Sequence, residues 1–494
     1  MRRSEERAAF RARAQPGRRV PVARVFPSDT LTPVMLFRRL RGPGREAFLL
    51  ESVEGGESVA RYTFLGVGPS ARLSVRDGKT CIERGGRLEA TAGQGVEALE
   101  ALERLVRPDE LVADPELPPL SRGAVGYLAY DAVRLFEAIP DRQSRESEIP
   151  DALFLLFDAV VAFDHPRQRV LLLTTLDPIP NGGPEPAVSE AIERLDRLQS
   201  LLAAPDPPPN LVVPEEARFV PAMSRERFLE AVAATREAIA EGEVYQAVVS
   251  QRWTARLGVD PFDVYRALRA LNPSPYLYFL ETREATILGS SPEMLVRCRG
   301  RQVETRPIAG TAPRGRTPAE DEELASRLRE DPKERAEHVM LVDLARNDLG
   351  RVCEVGTVEV ARFADVEKFS HVQHLVSEVR GRLRTGVGPA DALAACFPAG
   401  TLTGAPKIRA MELIDALEAC RRGIYGGAVG YFDAAGNCDL AIAIRTAVVE
   451  SGLWRVQAGA GIVADSVAEK EYAEAEAKAA ALFRAIELAR EWFA

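Results

Sequence analysis

The chain has 494 residues, of which 46% are hydrophobic and 28% are charged, a composition typical of globular proteins that fold in water. Its net charge of −9 disfavours nucleic-acid binding, which requires a large basic surface, so an anionic ligand would need a local cluster of positive charge or a metal ion. No run approaches the roughly 18 apolar residues of a membrane span, and six cysteines without a CxxC pair favour a reducing compartment, so we expect a cytoplasmic protein.

The N-terminal part begins with a strongly basic segment. Seven of the first nineteen residues are arginine, Glu5 and Glu6 lie among them, and no apolar run follows. This pattern predicts a disordered basic tail over residues 1–20 rather than a targeting peptide. An N-terminal region of residues 21–202 follows, in which residues 154–176 have the pattern of two apolar strands around a polar turn.

Dense prolines mark the next boundary, over residues 203–223. Proline disfavours helix and favours extended backbone, so this stretch is expected to be an extended connection. From Ser224, a residue type that caps helix N-termini, a run with helical spacing begins. Residues 224–494 are therefore expected to form a second, larger region.

Strand patterns in the second region are dense and separated by short turns. Residues 285–311 predict a strand, a turn and a strand, and residues 427–463 predict three strands. Strands joined by short turns pair antiparallel, and strand and helix do not alternate regularly along the chain. The expected fold class is therefore α+β, with large antiparallel sheets packed face to face and helices outside.

Two predicted helices carry glutamates three residues apart. Glu334 and Glu337 share one helix face, while Glu471 and Glu474 share a face of a helix near the C-terminus, where Lys478 follows. Such pairs are commonly solvated surface charges. They could also bind Mg²⁺, which takes one or two carboxylates together with water and substrate oxygens. Spacing alone does not decide between these interpretations.

Two further polar residues lie within apolar strand patterns. His374 follows His371 by three positions, so strand alternation places the two on opposite faces. His374 could act as an acid or base, or be a buried, hydrogen-bonded histidine. Arg445 could be a surface charge at a strand end or a fork that binds a carboxylate.

Ten segments together carry a resemblance to a known family. The chain from about Val25 onward resembles the chorismate-utilising enzymes, and most closely their anthranilate synthase component I branch. The segments are LLES (49–52), RYTFLG (61–66), NPSPYLYFL (272–280), GSSPEMLV (289–296), TRPIAGTAPRG (305–315), KERAEHVMLVDLARNDLGRV (333–352), HVQHL (371–375), GTLTGAPKIRAMELI (400–414), GAVGYFD (427–433) and QAGAGIVADSVAEKEY (457–472).

The resemblance implies a site that binds Mg²⁺ and chorismate. It assigns Glu337 and Glu474 as direct metal ligands, with Glu334 and Glu471 acting through water, and the ion would hold the ring carboxylate. His374, Glu334 and Thr401 are the implied catalytic residues, with His374 assisting loss of the ring hydroxyl and later proton removal. The implied substrate-binding residues are Tyr425 and Arg445 for the enolpyruvyl carboxylate, with Gly459, Ala460, Gly461, Lys478, Gly310 and Thr311 lining the rest of the pocket.

The implied reaction has two steps, and the resemblance also indicates which nucleophile takes part. Ammonia would add at ring carbon 2 as the hydroxyl of ring carbon 4 leaves, and elimination of pyruvate would then give anthranilate. Aminodeoxychorismate synthases typically carry an attacking lysine where this chain has Ala309, and isochorismate synthases a water-activating lysine where it has Gln246. The side chains of the pocket would thus provide no nucleophile, and free ammonia would have to enter.

A partner and an inhibitor follow from the same resemblance. No cysteine here has the glycine-flanked setting of a glutamine amidotransferase nucleophile, so a separate glutamine amidotransferase subunit is expected to supply ammonia. Tryptophan is the implied feedback inhibitor. Its site would be formed by Glu51, Ser52, Arg61, Asn272, Pro273, Ser274, Pro275, Tyr276 and Tyr431.

Two alternatives stay open. The chain could be an aminodeoxychorismate synthase component I, which makes a different amino product from chorismate. It could instead be a catalytically inactive protein that only binds tryptophan. The presence of all four glutamates together with His374 and Lys478 favours an active enzyme over an inactive sensor.

Overall fold

The fold is α+β and is dominated by two large sheets. The computed structural model describes residues 3–42, 44–52, 61–92, 95–107, 109–143, 145–179, 183–205, 218–369 and 372–493. The predicted proline-rich connection lies mostly outside the described residues, as does His371. Strands and helices are numbered below in chain order.

The first sheet contains thirteen strands among the described residues. Its pairs are antiparallel except for β1 with the two-residue β7. In spatial order the strands are β12 (Val220–Pro221), β13 (Gln246–Arg256), β25 (Leu453–Ile462), β24 (Thr446–Glu450), β15 (Thr286–Ser291), β14 (Tyr276–Glu281), β2 (Ala47–Glu51), β3 (Tyr62–Val67), β10 (Ala159–Asp164), β11 (Arg169–Leu176), β1 (Arg18–Pro27) and β7 (Glu110–Leu111), with β21 (Gly404–Ala405) pairing beside β13.

The second sheet contains twelve strands in the described part of the chain, and all of its pairs are antiparallel. In spatial order they are β18 (Ile308–Pro313), β20 (Val372–Arg382), β17 (Gln302–Thr305), β16 (Met294–Arg299), β23 (Cys438–Ile442), β22 (Ala428–Asp433), β8 (Gly123–Leu128), β9 (Ala152–Phe157), β4 (Ala71–Arg76), β5 (Lys79–Arg84) and β6 (Arg87–Ala92), with β19 (Glu359–Lys368) pairing beside β20.

Helices cover the outer faces of both sheets. One apolar core lies between the first sheet and its helices, a second lies between the second sheet and its helices, and a third, which includes Phe48, Phe157 and Tyr278, lies between the sheets. The helices are α1 (Arg3–Arg13), α2 (Pro33–Leu40), α3 (Val96–Val106), α4 (Glu185–Leu202), α5 (Arg225–Ala240), α6 (Pro261–Leu271), α7 (Pro318–Glu330), α8 (Pro332–Gly350), α9 (Pro389–Cys396), α10 (Gly400–Thr403), α11 (Lys407–Leu417) and α12 (Ala468–Phe493), with a 3-10 helix at Tyr130–Leu135.

The two sequence regions share both sheets instead of forming separate sandwiches. Each region supplies one half of each sheet, and the halves meet where β14 pairs with β2 and where β22 pairs with β8. We call this pair of junctions the seam. The boundary predicted near residues 203–223 therefore divides the chain between two halves of one continuous core.

Several strands pass directly from one sheet to the other. Residues 154–176 form parts of three strands rather than the expected two, because the single residue Asp158 separates β9 of the second sheet from β10 of the first. In the same way β15 passes to β16 through Pro292 and Glu293, and β23 passes to β24 through residues 443–445. Residues 285–311 and 427–463 thus each contain four strands, more than the sequence pattern predicted.

The N-terminal segment differs from the predicted disordered tail. Residues Arg3–Arg13 form α1, which buries Phe10 and Glu6 and packs against α4. Glu6 accepts hydrogen bonds from Arg24 of β1 at 2.8 Å through both carboxylate oxygens. The prediction was wrong because the arginines are paired with acidic residues of other elements, which composition alone does not reveal.

The helix start predicted at Ser224 is confirmed. The Ser224 hydroxyl accepts a hydrogen bond from the backbone N–H of Arg227 at the start of α5. Asp331 caps α8 in the same manner, with Pro332 at the first helical position. Among the described residues, no helix combines the length and the apolar character needed to cross a lipid bilayer.

Candidate active site

A cavity of about 600 Å³ lies at the end of the sandwich formed by the second region. Its walls come from β13, β18, β25, α8, α10 and the start of α12, together with the crossovers from β15 to β16 and from β23 to β24. The cavity brings together thirteen residues singled out from the sequence, namely Gln246, Gly310, Thr311, Glu334, Glu337, Thr401, Tyr425, Arg445, Gly459, Gly461, Glu471, Glu474 and Lys478.

The four glutamates converge on this cavity from two helices. Glu334 and Glu337 lie in the first two turns of α8, and Glu471 and Glu474 lie in the first two turns of α12. Burial and then the charge of Glu337 raise the pKa of Glu334, and the more distant Glu474 adds to the rise. Burial likewise raises the pKa of Glu471, with Glu474 contributing. The two helices thus concentrate four carboxylates, which Lys333 and Lys478 of the same helices neutralise only in part.

This donor set suits a hard divalent cation that keeps part of its water shell. Carboxylate oxygens are the ligands that Mg²⁺ prefers, and Mg²⁺ typically needs only one or two of them. Within the described ranges, no three His, Cys, Asp or Glu side chains already lie close enough to form a closed cage. Water and a substrate oxygen would therefore have to complete the coordination shell.

Lys478 connects α12 to the cavity wall. Its Nζ lies 2.7 Å from Glu474 Oε1 and donates a hydrogen bond of 3.0 Å to the backbone carbonyl of Gly459 in β25. The pairing of β25 with β24 ends at Val456, so in the described structure no strand covers that edge of β25 from residue 457 to 462. The backbone groups on this edge are available to a ligand. Ala460 is fully buried, and its side chain joins the core outside the first sheet.

Arg445 is a cation without a counter-ion among the described residues. Its φ of 49° lies in the left-handed region, which costs a non-glycine residue roughly 1 kcal/mol. Its guanidinium faces the cavity, and in the described part of the chain it forms neither an ion pair nor a side-chain hydrogen bond. Burial lowers the pKa of Arg445, an effect opposed by Glu293. A half-buried guanidinium without a partner among the described residues indicates an anionic ligand, and a carboxylate matches its forked geometry.

Glu293 is a cavity residue that sequence reasoning missed. It lies in the crossover from β15 to β16, is buried, and accepts a hydrogen bond of 3.0 Å from the Thr401 hydroxyl. Burial raises the pKa of Glu293 to about 8, so the carboxyl group is protonated at neutral pH. The signal that could have revealed it is an acidic residue after proline between two apolar strands.

His374 lies behind the cavity wall instead of on its surface. Its Nδ1 lies 2.8 Å from the carbonyl oxygen of Gly310 and 3.1 Å from the Thr311 hydroxyl. Because a carbonyl only accepts, Nδ1 carries the proton and Nε2 keeps its lone pair. Burial lowers the pKa of His374, so the ring is neutral at neutral pH. His374 therefore supports the turn at Gly310, which has a φ of 62° and could not carry a Cβ without coming within 2.9 Å of Glu334.

The two positions expected to exclude other nucleophiles lie in different environments. Ala309 is buried in β18, and the cavity surface at this turn is made by its neighbours Ile308, Gly310 and Thr311. Gln246 begins β13, lines the cavity, and donates a long hydrogen bond of 3.4 Å from Nε2 to Glu337 Oε1. Neither side chain can attack a bound ring or deprotonate water.

A second cavity, of about 540 Å³, lies between the sheets at the seam. Of the residues predicted to bind tryptophan, its walls include Glu51, Ser52, Arg61, Pro275, Tyr276 and Tyr431. Asn272 instead donates a hydrogen bond to the Ser290 hydroxyl at 3.2 Å, and Ser274 is buried. Asn272, Pro273 and Ser274 do not reach the cavity surface, because they shape the turn that precedes β14.

The second cavity also contains two residues that the sequence did not single out. Arg297 donates hydrogen bonds to Asp439 at 2.8 Å and to the Tyr276 hydroxyl at 3.0 Å, while Tyr276 donates to Asp439 at 3.0 Å. Only the register of β16 against β23, in which Arg297 lies opposite Asp439, brings this network together.

Comparison with known proteins decides the family. A family model described as chorismate binding enzyme matches residues 45–484, which covers both halves of the sandwich. The chain belongs to the chorismate-binding enzymes. The fold class expected from the sequence is thereby confirmed along with the resemblance.

Relatives of this chorismate-binding enzyme match nearly its whole length. The anthranilate synthase component 1 of Mycobacterium tuberculosis is 46% identical over 97% of this chain and 95% of its own length. That of Thermus thermophilus is 45% identical over 95% and 98%. The crystal structure of anthranilate synthase component I from Streptococcus pneumoniae superposes with a TM-score of 0.76 at 36% identity, covering 93% of this chain and 99% of that one. The menaquinone-specific isochorismate synthase of Escherichia coli shares the fold alone, with a TM-score of 0.71 at 20% identity and coverage of 96% and 95%.

Proposed function

We propose that this chorismate-binding enzyme is an anthranilate synthase component I, which converts chorismate and ammonia to anthranilate and pyruvate with Mg²⁺ as cofactor. The observation that carries the proposal is that one cavity brings together four converging glutamates and a half-buried arginine that has no ion-pair partner among the described residues. Chorismate has two carboxylates, so one can bind a cationic side chain and the other a metal ion. A cavity of about 600 Å³ has the size of ordinary small-molecule sites.

The substrate would lie between Arg445 and the glutamate helices. Arg445 and the buried Tyr425 would hold the enolpyruvyl carboxylate, and the free backbone edge of β25 with Lys478 would face the ring carboxylate. Glu337 and Glu474 would hold Mg²⁺, with Glu334 and Glu471 acting through water. The bound ion supplies electrostatic stabilisation of charge that develops at the ring carboxylate.

Proton transfer to the leaving hydroxyl is assigned to Glu293. Its protonated carboxyl group can donate to the hydroxyl on ring carbon 4, while the Thr401 hydroxyl holds it in place. His374, which the sequence analysis placed in this role, positions the wall at Gly310 and Thr311.

The nucleophile and its source follow from the residues at positions 246 and 309, where related enzymes carry a lysine. Gln246 and Ala309 provide neither an amine nor a base, which supports free ammonia as the nucleophile. Its supplier would be a glutamine amidotransferase subunit in the cytoplasm. The second cavity would bind tryptophan as a feedback inhibitor, with its aromatic walls and charged ends matching an aromatic amino acid.

The test is to incubate the purified chain with chorismate, Mg²⁺ and an ammonium salt and to record the fluorescence of the product. We expect fluorescent anthranilate and one equivalent of pyruvate. A product that becomes aromatic only after a separate lyase is added would identify aminodeoxychorismate synthase instead. No consumption of chorismate would indicate a protein that only binds tryptophan.

A further inference from the structure

A small side cavity of about 40 Å³ continues from the catalytic cavity behind Glu293. It lies between α8, α10 and the ends of β16, β17 and β23. Glu293, Leu341 and Thr401 line both cavities, so the two spaces meet at the proposed acid. One water molecule needs about 10–15 Å³ of such space, so the side cavity has room for about three.

Acidic groups line the side cavity at both of its ends. At the inner end lies Glu293, whose carboxyl group accepts a hydrogen bond of 3.0 Å from Thr401. At the outer end, two turns beyond Leu341 on α8, lies Asp348, whose side chain is 15% exposed and therefore reaches the solvent. Thr305 adds a hydroxyl to the wall. Water molecules in this space would have polar partners along its length.

Asp348 is held in place at the outer end by Lys407. The Lys407 Nζ donates hydrogen bonds of 3.0 Å and 2.8 Å to the two carboxylate oxygens, and a longer one of 3.4 Å to the carbonyl oxygen of Cys396. Burial raises the pKa of Asp348, and the charges of Lys407 and Arg351 oppose the rise. The Asp348 carboxylate therefore accepts a proton more readily than that of an exposed aspartate.

The proposed reaction leaves Glu293 without its proton. The hydroxyl of ring carbon 4 leaves as water with that proton, while ammonia adds at ring carbon 2. The proton that the new ammonium group later releases starts from a different ring carbon, so it does not pass directly back to Glu293. Glu293 is only 7% exposed, and bound chorismate would cover the side of it that faces the catalytic cavity. The Glu293 carboxylate therefore needs a second route to a proton.

We infer that the side cavity holds a short chain of water molecules that carries a proton from Asp348 to Glu293 in each turnover. The inference rests on the proposed function and deepens it. The water beside Glu293 gives a proton to the carboxylate and takes one from the next water, which takes one from the Asp348 carboxyl group. An acid in the solvent then protonates Asp348 again. One proton enters along this chain and the ammonium group on ring carbon 2 releases one, so the protons balance.

The experiment separates proton supply from the reaction itself by comparing kcat with kcat/KM for chorismate in Asp348→Asn. Asparagine keeps the size of the side chain and an acceptor for Lys407, but it does not carry the proton. The free enzyme already holds the proton on Glu293, so kcat/KM should stay within about twofold, whereas kcat should fall at least about tenfold. Added imidazole, whose protonated form is a small acid, should restore kcat as its concentration rises at fixed pH, ionic strength, ammonium and Mg²⁺.

The matched control is Asp343→Asn on the same helix. Asp343 is 58% exposed, forms an ion pair with Arg346 and lies outside the lining of the side cavity. This variant should keep the kcat of the unaltered enzyme, and neither should respond to imidazole. An unchanged kcat in Asp348→Asn, or a fall that imidazole does not reverse, would overturn the water chain, because a purely structural role of Asp348 would not respond to a small acid.

A second variant keeps the test decisive if Asp348→Asn does not melt cooperatively. In Gly400→Ala the added methyl group would lie 2.8 Å from Leu344 Cδ1 and displace that side chain, which lines the side cavity. Its kcat should fall while its kcat/KM holds, and an unchanged kcat would again overturn the water chain. Failure of the proposed function is distinguishable, because the unaltered chain would then form no anthranilate at any ammonium concentration.

Discussion

Glu293 is buried, accepts a hydrogen bond from the Thr401 hydroxyl and is the proposed proton donor. Burial raises its pKa to about 8, so the folded enzyme holds the acid form below that pH and loses it above. A general acid must be protonated to act. The activity of the free enzyme should therefore fall as the pH rises above the pKa of Glu293.

The first prediction concerns the pH profile. With the concentration of neutral ammonia held constant, kcat/KM for chorismate should fall about tenfold per pH unit above pH 8, because Glu293 loses its proton. Glu293→Gln keeps the acceptor for Thr401 but cannot donate a proton to the leaving hydroxyl. The rate of this variant should therefore be at least about 100-fold lower, and its kcat/KM should no longer fall above pH 8. An alkaline limb that persists in Glu293→Gln would assign the titration to another group.

At this scale the sequence motifs predicted most of the site but not its electrostatics. The resemblance singled out the four glutamates and Lys478, and all five line one cavity. The sequence motifs could not show that Arg445 has no counter-ion in the described part of the chain or that Glu293 is protonated, because both properties depend on which residues from distant segments pack around them. His374 and Ala309 lie just behind the surface, since the bulge between Ala309 and Thr311 changes which side chains of β18 face the cavity.

The strand crossovers explain why polar residues interrupt apolar strands at the site. Glu293 lies where β15 passes to β16, and Arg445 lies where β23 passes to β24. The two crossovers are adjacent, because the backbone N–H of Ser290 donates to the carbonyl oxygen of Arg445. Strand alternation did not predict these passages, because a change of sheet after one to three residues resembles a continuous apolar strand.

A buried ion pair ties the remaining wall elements together. The side chains of Arg422 and Glu418 are 1% and 3% exposed and share two hydrogen bonds of 2.9 Å and 2.7 Å. Arg422 also donates to the carbonyl oxygens of Leu402 and Val248, and its guanidinium lies 5.6 Å from the centre of the Tyr425 ring. This pair therefore fixes α10, β13 and Tyr425 relative to one another.

The second prediction tests this pair. Glu418→Gln leaves the Arg422 charge buried without a counter-ion and should lower the free energy of unfolding by about 3–5 kcal/mol. The double variant Glu418→Gln with Arg422→Met removes both charges and should recover part of that loss. Urea unfolding of the single and double variants measures both values. A single variant within about 1 kcal/mol of the unaltered chain would contradict the role given to the pair.

The whole molecule is one sandwich whose seam joins the halves supplied by the two regions. The second cavity lies at this seam and touches β2, β14 and β22. β14 pairs with β15 so that Tyr276 lies opposite Ser291, two residues before Glu293. A ligand that moves the seam would therefore reach Glu293, the proposed acid, through one strand pair.

The third prediction is inhibition by L-tryptophan. At fixed chorismate, anthranilate formation should fall as tryptophan is titrated, and chorismate should weaken tryptophan binding by the same factor in calorimetry. Tyr276→Phe removes the hydroxyl that bridges Arg297 and Asp439 and should weaken inhibition while changing kcat little. If the activity of the unaltered enzyme does not change with tryptophan, the proposed feedback inhibition is wrong.

The most direct measurement is anthranilate formation by chelator-treated enzyme as Mg²⁺ is added back. If the glutamates of α8 and α12 anchor the substrate through a divalent cation, EDTA should abolish turnover and Mg²⁺ should restore it, and Glu337→Gln should require far more Mg²⁺ for half-maximal rate. Undiminished turnover in excess chelator would contradict the account.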